Sequence, residues 1–253
     1  MTLTAATAIS SPRRPALDRA TAMRLAGPEY QRYLEHLREL TPADWSKPTE
    51  CPGWDVRAMA THVLGMAEMA ASVRENMRQM RAARKAGGSF IDALTGGQVA
   101  EHAAMRPEGI VARLSVVTPR AARGRRRTPG IVRRRPIPVA QTVGGSDETW
   151  TIGYLVDVIL TRDTWMHRVD STRATGRPPV LTAGHDGVIV ADVAAEWAGR
   201  HREPAVVRLT GPAGGSWSFG TGGPDIEADA VEFCRALSGR VAGAGLLAVE
   251  VPF

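Results

Sequence analysis

The chain has 253 residues, of which 43% are hydrophobic and 23% are charged. This composition excludes a wholly disordered, collagen-like or disulfide-stapled protein, and the length allows one large domain or two smaller ones. No apolar run reaches the roughly 20 residues that a membrane-spanning helix needs, and the amino terminus lacks the apolar stretch of a secretory signal. We therefore expect a cytoplasmic protein without a membrane partner.

The net charge is +6, and nearly all of the basic residues are arginines: the chain has 30 arginines and two lysines. Eight of the arginines lie in residues 118–138, together with four prolines. A block of like charge with proline and no apolar periodicity is typical of a solvated loop. We predict that this segment is exposed and mobile. We expect no nucleic-acid partner, because no recognised binding motif or aromatic pattern accompanies the charge.

In chain order, residues 1–16 lack periodicity and are predicted to form a flexible tail. Apolar residues at helical spacing then predict four helices, at about residues 28–40, 56–86, 91–117 and 152–170. Four amphipathic helices with a long connection before the last predict a four-helix bundle over residues 17–175.

A linker with glycine and two prolines follows at residues 176–179. Beyond it, helical and strand-like segments alternate, which predicts a small α/β domain over residues 180–253. The predicted fold class is therefore α with a small α/β part: an amino-terminal helical bundle followed by a carboxy-terminal α/β domain.

Three polar side chains fall where the helical pattern demands apolar ones. His62 lies on the buried stripe of the second helix, while Asp163 and His167 face the same core from the fourth. Burying them without partners would cost on the order of several kcal/mol. A divalent ion such as zinc would satisfy all three and keep a position open for water or substrate. Alternatively, backbone carbonyls satisfy the histidines and Asp163 pairs with Arg162 or Arg168.

The remaining candidate ligands give weaker patterns. Cys51 and Cys234 are far apart and are predicted to be small buried hydrophobic residues. The other histidines lack partners at ligand spacing and are expected at the surface or in loops: residues 36, 102, 185 and 201.

The sequence resembles the amino-terminal domain of the mycothiol-dependent maleylpyruvate isomerase family, among the DinB-like metal-binding bundles. It does so in the runs LTPADWSKPTECPGWDVRAMATHVLG (residues 40–65) and TRDTWMHRVD (residues 161–170). The family's small carboxy-terminal domain is similar to VRLTGPAGGSWSFG (residues 207–220) and AVEFCRALSGR (residues 230–240). The resemblance extends from about residue 17 to the end of the chain.

This resemblance implies one zinc-like ion on His62, Asp163 and His167, with mycothiol as thiol cofactor or cosubstrate. The characterised isomerase has glutamate where this chain has Asp163. Arg240 matches the family's functional arginine, and its guanidinium group would bind a carboxylate of the thiol or of the substrate. On residue pattern alone, Arg240 is equally a surface charge at a helix end.

The resulting hypothesis is a metal-dependent enzyme that uses mycothiol, either a maleylpyruvate isomerase-like enzyme or a thiol S-transferase. Its partners would be the thiol and a small electrophile. The alternative is a non-enzymatic binding or regulatory module in which the metal is structural. A fourth protein ligand would favour the module, whereas an open coordination position would favour the enzyme.

Overall fold

The computed structural model of the protein describes residues 11–253. Its helices are α1 (Arg19–Arg38), α2 (Val56–Ala71), α3 (Val73–Ala86), α4 (Phe90–His102), α5 (Pro107–Arg127), α6 (Gly130–Arg133), α7 (Ile152–Tyr154), α8 (Leu160–Thr175), α9 (Asp186–His201) and α10 (Ala230–Leu237). Its strands are β1 (Gln141–Val143), β2 (Ser146–Glu148), β3 (Ala205–Thr210), β4 (Gly215–Phe219) and β5 (Asp225–Asp229). Within the described range, no helix combines the length and apolarity that crossing a bilayer requires.

Helices α1, α2, α5 and α8 form the predicted four-helix bundle. Helix α1 packs against α5 and α8, and α2 packs against α5 and α8. The core between α1, α2 and α5 is apolar and includes Tyr33, Leu37, Val63, Leu64 and Leu114. The periodic apolar positions of the sequence therefore point inward, which confirms the bundle.

Two of the predicted helices are each divided into two. The predicted helix 56–86 breaks at Ser72, which has extended backbone angles and accepts a hydrogen bond from the Glu75 amide at 3.3 Å. This serine begins α3 because its side chain satisfies a backbone amide that has no partner inside the helix. The predicted helix 91–117 is replaced by α4 and α5, with Pro107 at the first turn of α5. Helices α3 and α4 thus form a pair beside α2.

The segment 118–138, predicted to be an exposed loop, is largely helical, although six of its eight arginines are exposed as predicted. Helix α5 continues to Arg127, α6 follows, and both helices direct an arginine inward. Arg125 is 1% exposed and Arg133 is 8% exposed. The apolar periodicity of the sequence did not predict these buried positions, because an arginine that points inward interrupts the apolar pattern. An arginine can be buried only where hydrogen-bond or ionic partners offset the cost of removing its charge from water.

The partners of Arg125 lie on the segment that leads into α8. Between α7 and α8 the chain makes a π-helical turn, Leu155–Ile159, which frees carbonyl groups from the normal helix ladder. The Arg125 guanidinium donates to the Val156 carbonyl at 2.7 Å and to the Thr161 hydroxyl. The hydrogen bonds of Arg125 therefore connect α5 to the start of α8, the helix that carries two predicted metal ligands.

Replacing Arg125 by alanine is expected to lower the free energy of unfolding by about 3 kcal/mol, because a buried carbonyl and hydroxyl lose a charged donor. Arg127→Ala is the matched control, since Arg127 is exposed on the same turn of α5. Urea unfolding of both variants measures the difference. Equal stability of the two variants would mean that the contacts of Arg125 contribute nothing.

The carboxy-terminal part contains a three-stranded sheet in the order β4-β3-β5. Strand β3 pairs antiparallel with β4 and parallel with β5. Its core, with α9 and α10, also includes Trp165, Met166 and Val169 of α8 and Leu25 of α1. The small α/β part is therefore present, and it shares one core with the bundle across the predicted division at residues 175–180.

The described part of the predicted flexible tail, residues 11–16, is not free. The Arg13 amide donates to the Thr149 carbonyl at 2.8 Å, and its guanidinium lies 3.0 Å from the Glu148 carboxylate. Arg13 is thus fixed beside β2, contrary to the expectation. The rest of the tail prediction, residues 1–10, lies outside the described residues.

Candidate metal centre

Helices α2 and α8 bring the three predicted ligands to one point. Asp55 starts α2 by accepting a hydrogen bond from the Ala58 amide at 2.7 Å, which places His62 in the second turn. On α8, Asp163 and His167 are one turn apart. The Nε2 atoms of His62 and His167 each lie 3.3 Å from Oδ1 of Asp163.

Each imidazole turns its other nitrogen toward an acceptor outside this group. His62 Nδ1 lies 2.8 Å from Oε1 of Gln98, and His167 Nδ1 lies 3.4 Å from Oδ2 of Asp170. Histidines that bind a metal ordinarily give the second ring nitrogen to such an acceptor, because this fixes the ring and the tautomer. Both Nε2 atoms are therefore directed inward.

The electrostatics of the group favour a positive charge at its centre. Burial by itself raises the pKa of Asp163, but the adjacent His167 and His62 hold that pKa far below its usual range. Burial likewise opposes a charge on His167, but the Asp163 carboxylate raises its pKa well above the ordinary histidine value. The ligand atoms lie within 4.8 Å of one another. Two imidazole nitrogens and a carboxylate oxygen at this spacing fit a divalent ion.

The competing interpretation, in which Asp163 pairs with a neighbouring arginine, is wrong. Arg162 lies 2.6 Å from Asp192 and Arg168 lies 2.7 Å from Glu29. Both arginines leave α8 on other sides of the helix. The Asp163 carboxylate therefore faces the two histidines.

An ordered loop between α1 and α2 forms one wall of the centre. The Trp54 ring lies 5.1 Å from the His62 ring and 6.1 Å from the His167 ring, measured between centroids. The indole is half-buried. It covers both imidazoles on one side and limits the access of water from that side.

Cys51, from the same loop, is half-buried rather than a buried hydrophobic residue as predicted. Its Sγ lies 3.8 Å from Oδ2 of Asp170 and 3.7 Å from Nη2 of Arg240. Cys234 is buried as predicted, and burial raises the pKa of its thiol. Only Cys51 therefore belongs to the surroundings of the centre.

Arg240 reaches the centre from the carboxy-terminal part of the chain. Its Nε and Nη2 each lie 2.6 Å from an oxygen of the Asp170 carboxylate, which in turn faces His167. Burial opposes the charge, but Asp170 raises the pKa of Arg240. Its side chain is 12% exposed, so Arg240 is not the surface charge of the alternative interpretation.

The family model of the mycothiol maleylpyruvate isomerase N-terminal domain matches residues 26–171, more than half of the 253-residue chain. The chain belongs to this family. That assignment confirms the resemblance found in the sequence.

Two solved structures share the fold of this family member. The crystal structure of the mycothiol-dependent maleylpyruvate isomerase is 18% identical with a TM-score of 0.58, covering 89% of this chain and 91% of that chain. A histidine-to-alanine mutant of that isomerase gives 17% identity and a TM-score of 0.57 with the same coverage. The common fold includes both parts of the chain. None of the curated proteins compared with the chain matches it.

Three of the remaining histidines of this family member are buried: residues 36, 102 and 185. His36 and His102 lie in helices, contrary to the expectation, whereas His185 lies in the turn before α9, where a loop position was expected. His102 Nε2 lies 3.1 Å from Glu68, and His185 Nε2 lies 2.7 Å from Glu29. Sequence spacing missed both pairs because Glu68 and His102 are 34 positions apart and Glu29 and His185 are 156 positions apart.

The atoms of Glu29, His185 and Asp186 also lie close enough together for a metal. Arg168 already bridges this cluster, at 2.7 Å from Glu29 and 2.6 Å from Asp186. Since a cation is part of the cluster, it is an ion-pair network between the bundle and α9.

Sequence analysis also missed Gln98, the partner of His62. Gln98 approaches α2 at Gly65, where a Cβ would lie 2.6 Å from Cγ of Gln98. A glycine inside a helix normally costs about 1 kcal/mol relative to alanine. Gly65, which lies on the same side of α2 as His62, therefore indicated that another side chain packs closely against α2 at this point. The sequence does not reveal which residue makes that approach.

Proposed function

We propose that this protein is a metal-dependent enzyme that uses mycothiol as thiol cofactor or cosubstrate. The reaction is a maleylpyruvate isomerase-like isomerisation or a thiol S-transfer to a small electrophile. One observation carries the proposal: the ligand atoms of His62, Asp163 and His167 converge, and within residues 11–253 no fourth His, Cys, Asp or Glu lies within 4.8 Å of all three. A second close group shares only His167 and adds Cys51 and Asp170. Three protein ligands are the pattern of a catalytic rather than a structural zinc site.

Zinc fits the donor set best, because imidazole and carboxylate ligands suit it. A bound divalent ion would favour the thiolate form of mycothiol near neutral pH, and the thiolate is the nucleophile that either reaction needs. The chain itself presents two Nε2 atoms and one carboxylate, and Trp54 shields the imidazoles from water on one side.

In the isomerisation, the thiolate adds to a carbon of an activated double bond, which becomes a single bond and can rotate. Elimination of the same thiolate restores the double bond in the other configuration, so atoms and electrons balance without a further reactant. In the S-transfer, the carbon–sulfur bond persists in the product.

Arg240 is the residue that we assign to the anionic group of thiol or substrate. Its Nε and Nη2 are held by Asp170, whereas its Nη1 has no hydrogen-bond partner among the described residues. The same guanidinium therefore orients Asp170, and through it His167, while Nη1 is available to a carboxylate.

The test is consumption of mycothiol by zinc-loaded protein with a panel of activated alkenes and epoxides. We expect turnover to need both metal and thiol, and Arg240→Ala to reduce kcat/KM about 100-fold while most of the metal is retained. Arg208→Ala is the matched control, because Arg208 is an exposed arginine of β3. If zinc-loaded protein neither binds mycothiol in calorimetry nor consumes it, the structural-module alternative replaces this proposal.

A further inference from the structure

A chain of buried amide side chains leads away from His62. Its Nδ1 lies 2.8 Å from Oε1 of Gln98, and Nε2 of Gln98 lies 2.9 Å from Oε1 of Gln79. Nε2 of Gln79 lies 2.9 Å from the Glu75 carboxylate and 3.2 Å from the Gly65 carbonyl. Gln98 is 2% exposed and Gln79 is 5% exposed. The side chains of Gln98 and Gln79 therefore connect helices α2, α3 and α4 in the protein interior.

The far end of this chain fixes its direction. A side-chain amide can donate or accept, so its orientation is decided by its partners. The Glu75 carboxylate and the Gly65 carbonyl can only accept, hence Gln79 turns its amide nitrogen toward them and its oxygen toward Gln98. Gln98 must then donate to Gln79, which leaves its own oxygen to accept from His62.

Two further contacts favour the same orientation. The amide nitrogen of Gln98 lies 3.2 Å from the sulfur of Met66 and 3.3 Å from that of Met69, and thioethers can only accept. Arg78 lowers the pKa of Glu75, which keeps this carboxyl an ionised acceptor. The nitrogen end of the Gln98 amide is therefore surrounded by acceptors, which leaves the oxygen end facing His62.

We propose that Glu75, Gln79 and Gln98 form a relay that sets the tautomer of His62, placing the proton on Nδ1 and leaving Nε2 free to bind a metal. These are positioning residues, since they act through His62. The inference rests on the proposed function only in taking Nε2 as a metal ligand. In the other tautomer, Nε2 could donate to Oδ1 of Asp163 at 3.3 Å, but the buried oxygen of Gln98 would have no donor at its 2.8 Å contact with Nδ1.

The direct test is nitrogen-15 NMR of the His62 ring in metal-free protein, at a pH where the spectrum shows that ring to be neutral. In the unmodified protein we expect the proton on Nδ1. Gln98→Met keeps the length of the side chain but removes its oxygen, so the proton should move to Nε2 and zinc affinity should fall 10- to 100-fold. The matched control is Gln141→Met, since Gln141 is buried and its side-chain amide donates hydrogen bonds only to nearby backbone carbonyls.

Two conservative variants separate the relay from packing. Gln98→Glu keeps an acceptor at His62 and should retain the proton on Nδ1. Glu75→Gln supplies a group that can donate, so it should populate both tautomers of His62. A proton on Nε2 in the unmodified protein, or an unchanged tautomer in Gln98→Met, would overturn the relay. An unchanged tautomer in Glu75→Gln would overturn the part assigned to its carboxylate.

These measurements use neither thiol nor substrate. A protein that fails to consume mycothiol would refute the proposed function but leave the tautomer result standing. Conversely, a proton found on Nε2 would refute the relay without affecting the thiol assay.

Discussion

Replacing His62 or His167 by alanine is expected to reduce bound divalent metal from about one ion per chain to almost none. Each variant removes one of the three proposed ligands, so affinity should fall by more than the 10- to 100-fold typical of residues that only support a ligand. Elemental analysis after reconstitution with zinc, nickel or cobalt and dialysis measures the bound ion. Thiol-dependent turnover should disappear with it.

The matched control for these variants is His201→Ala, since His201 packs against Trp197 on α9 and not at the centre. Asp163→Ala should also lose the ion, whereas Asp163→Glu should retain it, because glutamate supplies the same carboxylate ligand. Metal affinity should weaken as pH falls, since imidazole binds metal only when it is unprotonated. Full metal content in His62→Ala, or none in the unmodified protein, would refute the assignment.

The largest loss of stability is expected from Arg168→Met. Arg168 is 2% exposed and lies 2.7 Å from Glu29 and 2.6 Å from Asp186, both of which are completely buried. Burial raises the pKa of Asp186, but Arg168 and its other hydrogen-bond donors hold that pKa below the usual value. Without the guanidinium, Glu29 keeps only His185 as an ionic partner, and Asp186 keeps only the longer, 3.4 Å ion pair with Arg32. The free energy of unfolding should therefore fall by about 3–5 kcal/mol.

Urea unfolding tests this expectation against Arg208→Met. Arg208 pairs with Asp225 on the exposed face of the sheet, where about half of each side chain is accessible, so that variant should change stability little. Similar stability of the two variants would show that the buried network does not hold α1, α8 and α9 together.

The sequence by itself determined the bundle and the three candidate ligands. Apolar residues at helical spacing placed the core, because burial of that stripe is what forms the helices. His62, Asp163 and His167 stood out because they interrupt the stripe, and residues four apart on one helix necessarily share a face. Local periodicity therefore indicated which side chains could meet, but it left open whether Asp163 faces the histidines or a neighbouring arginine.

Only the tertiary structure decided how the other polar residues are used. Arg125 and Gln98 are buried because their partners lie on other helices, and Arg240 meets Asp170 across 70 positions of sequence. Periodicity reports which face of a helix is apolar, but it carries no information about a distant donor or acceptor. A polar side chain can be buried only where such a partner exists, and folding alone brings the two together.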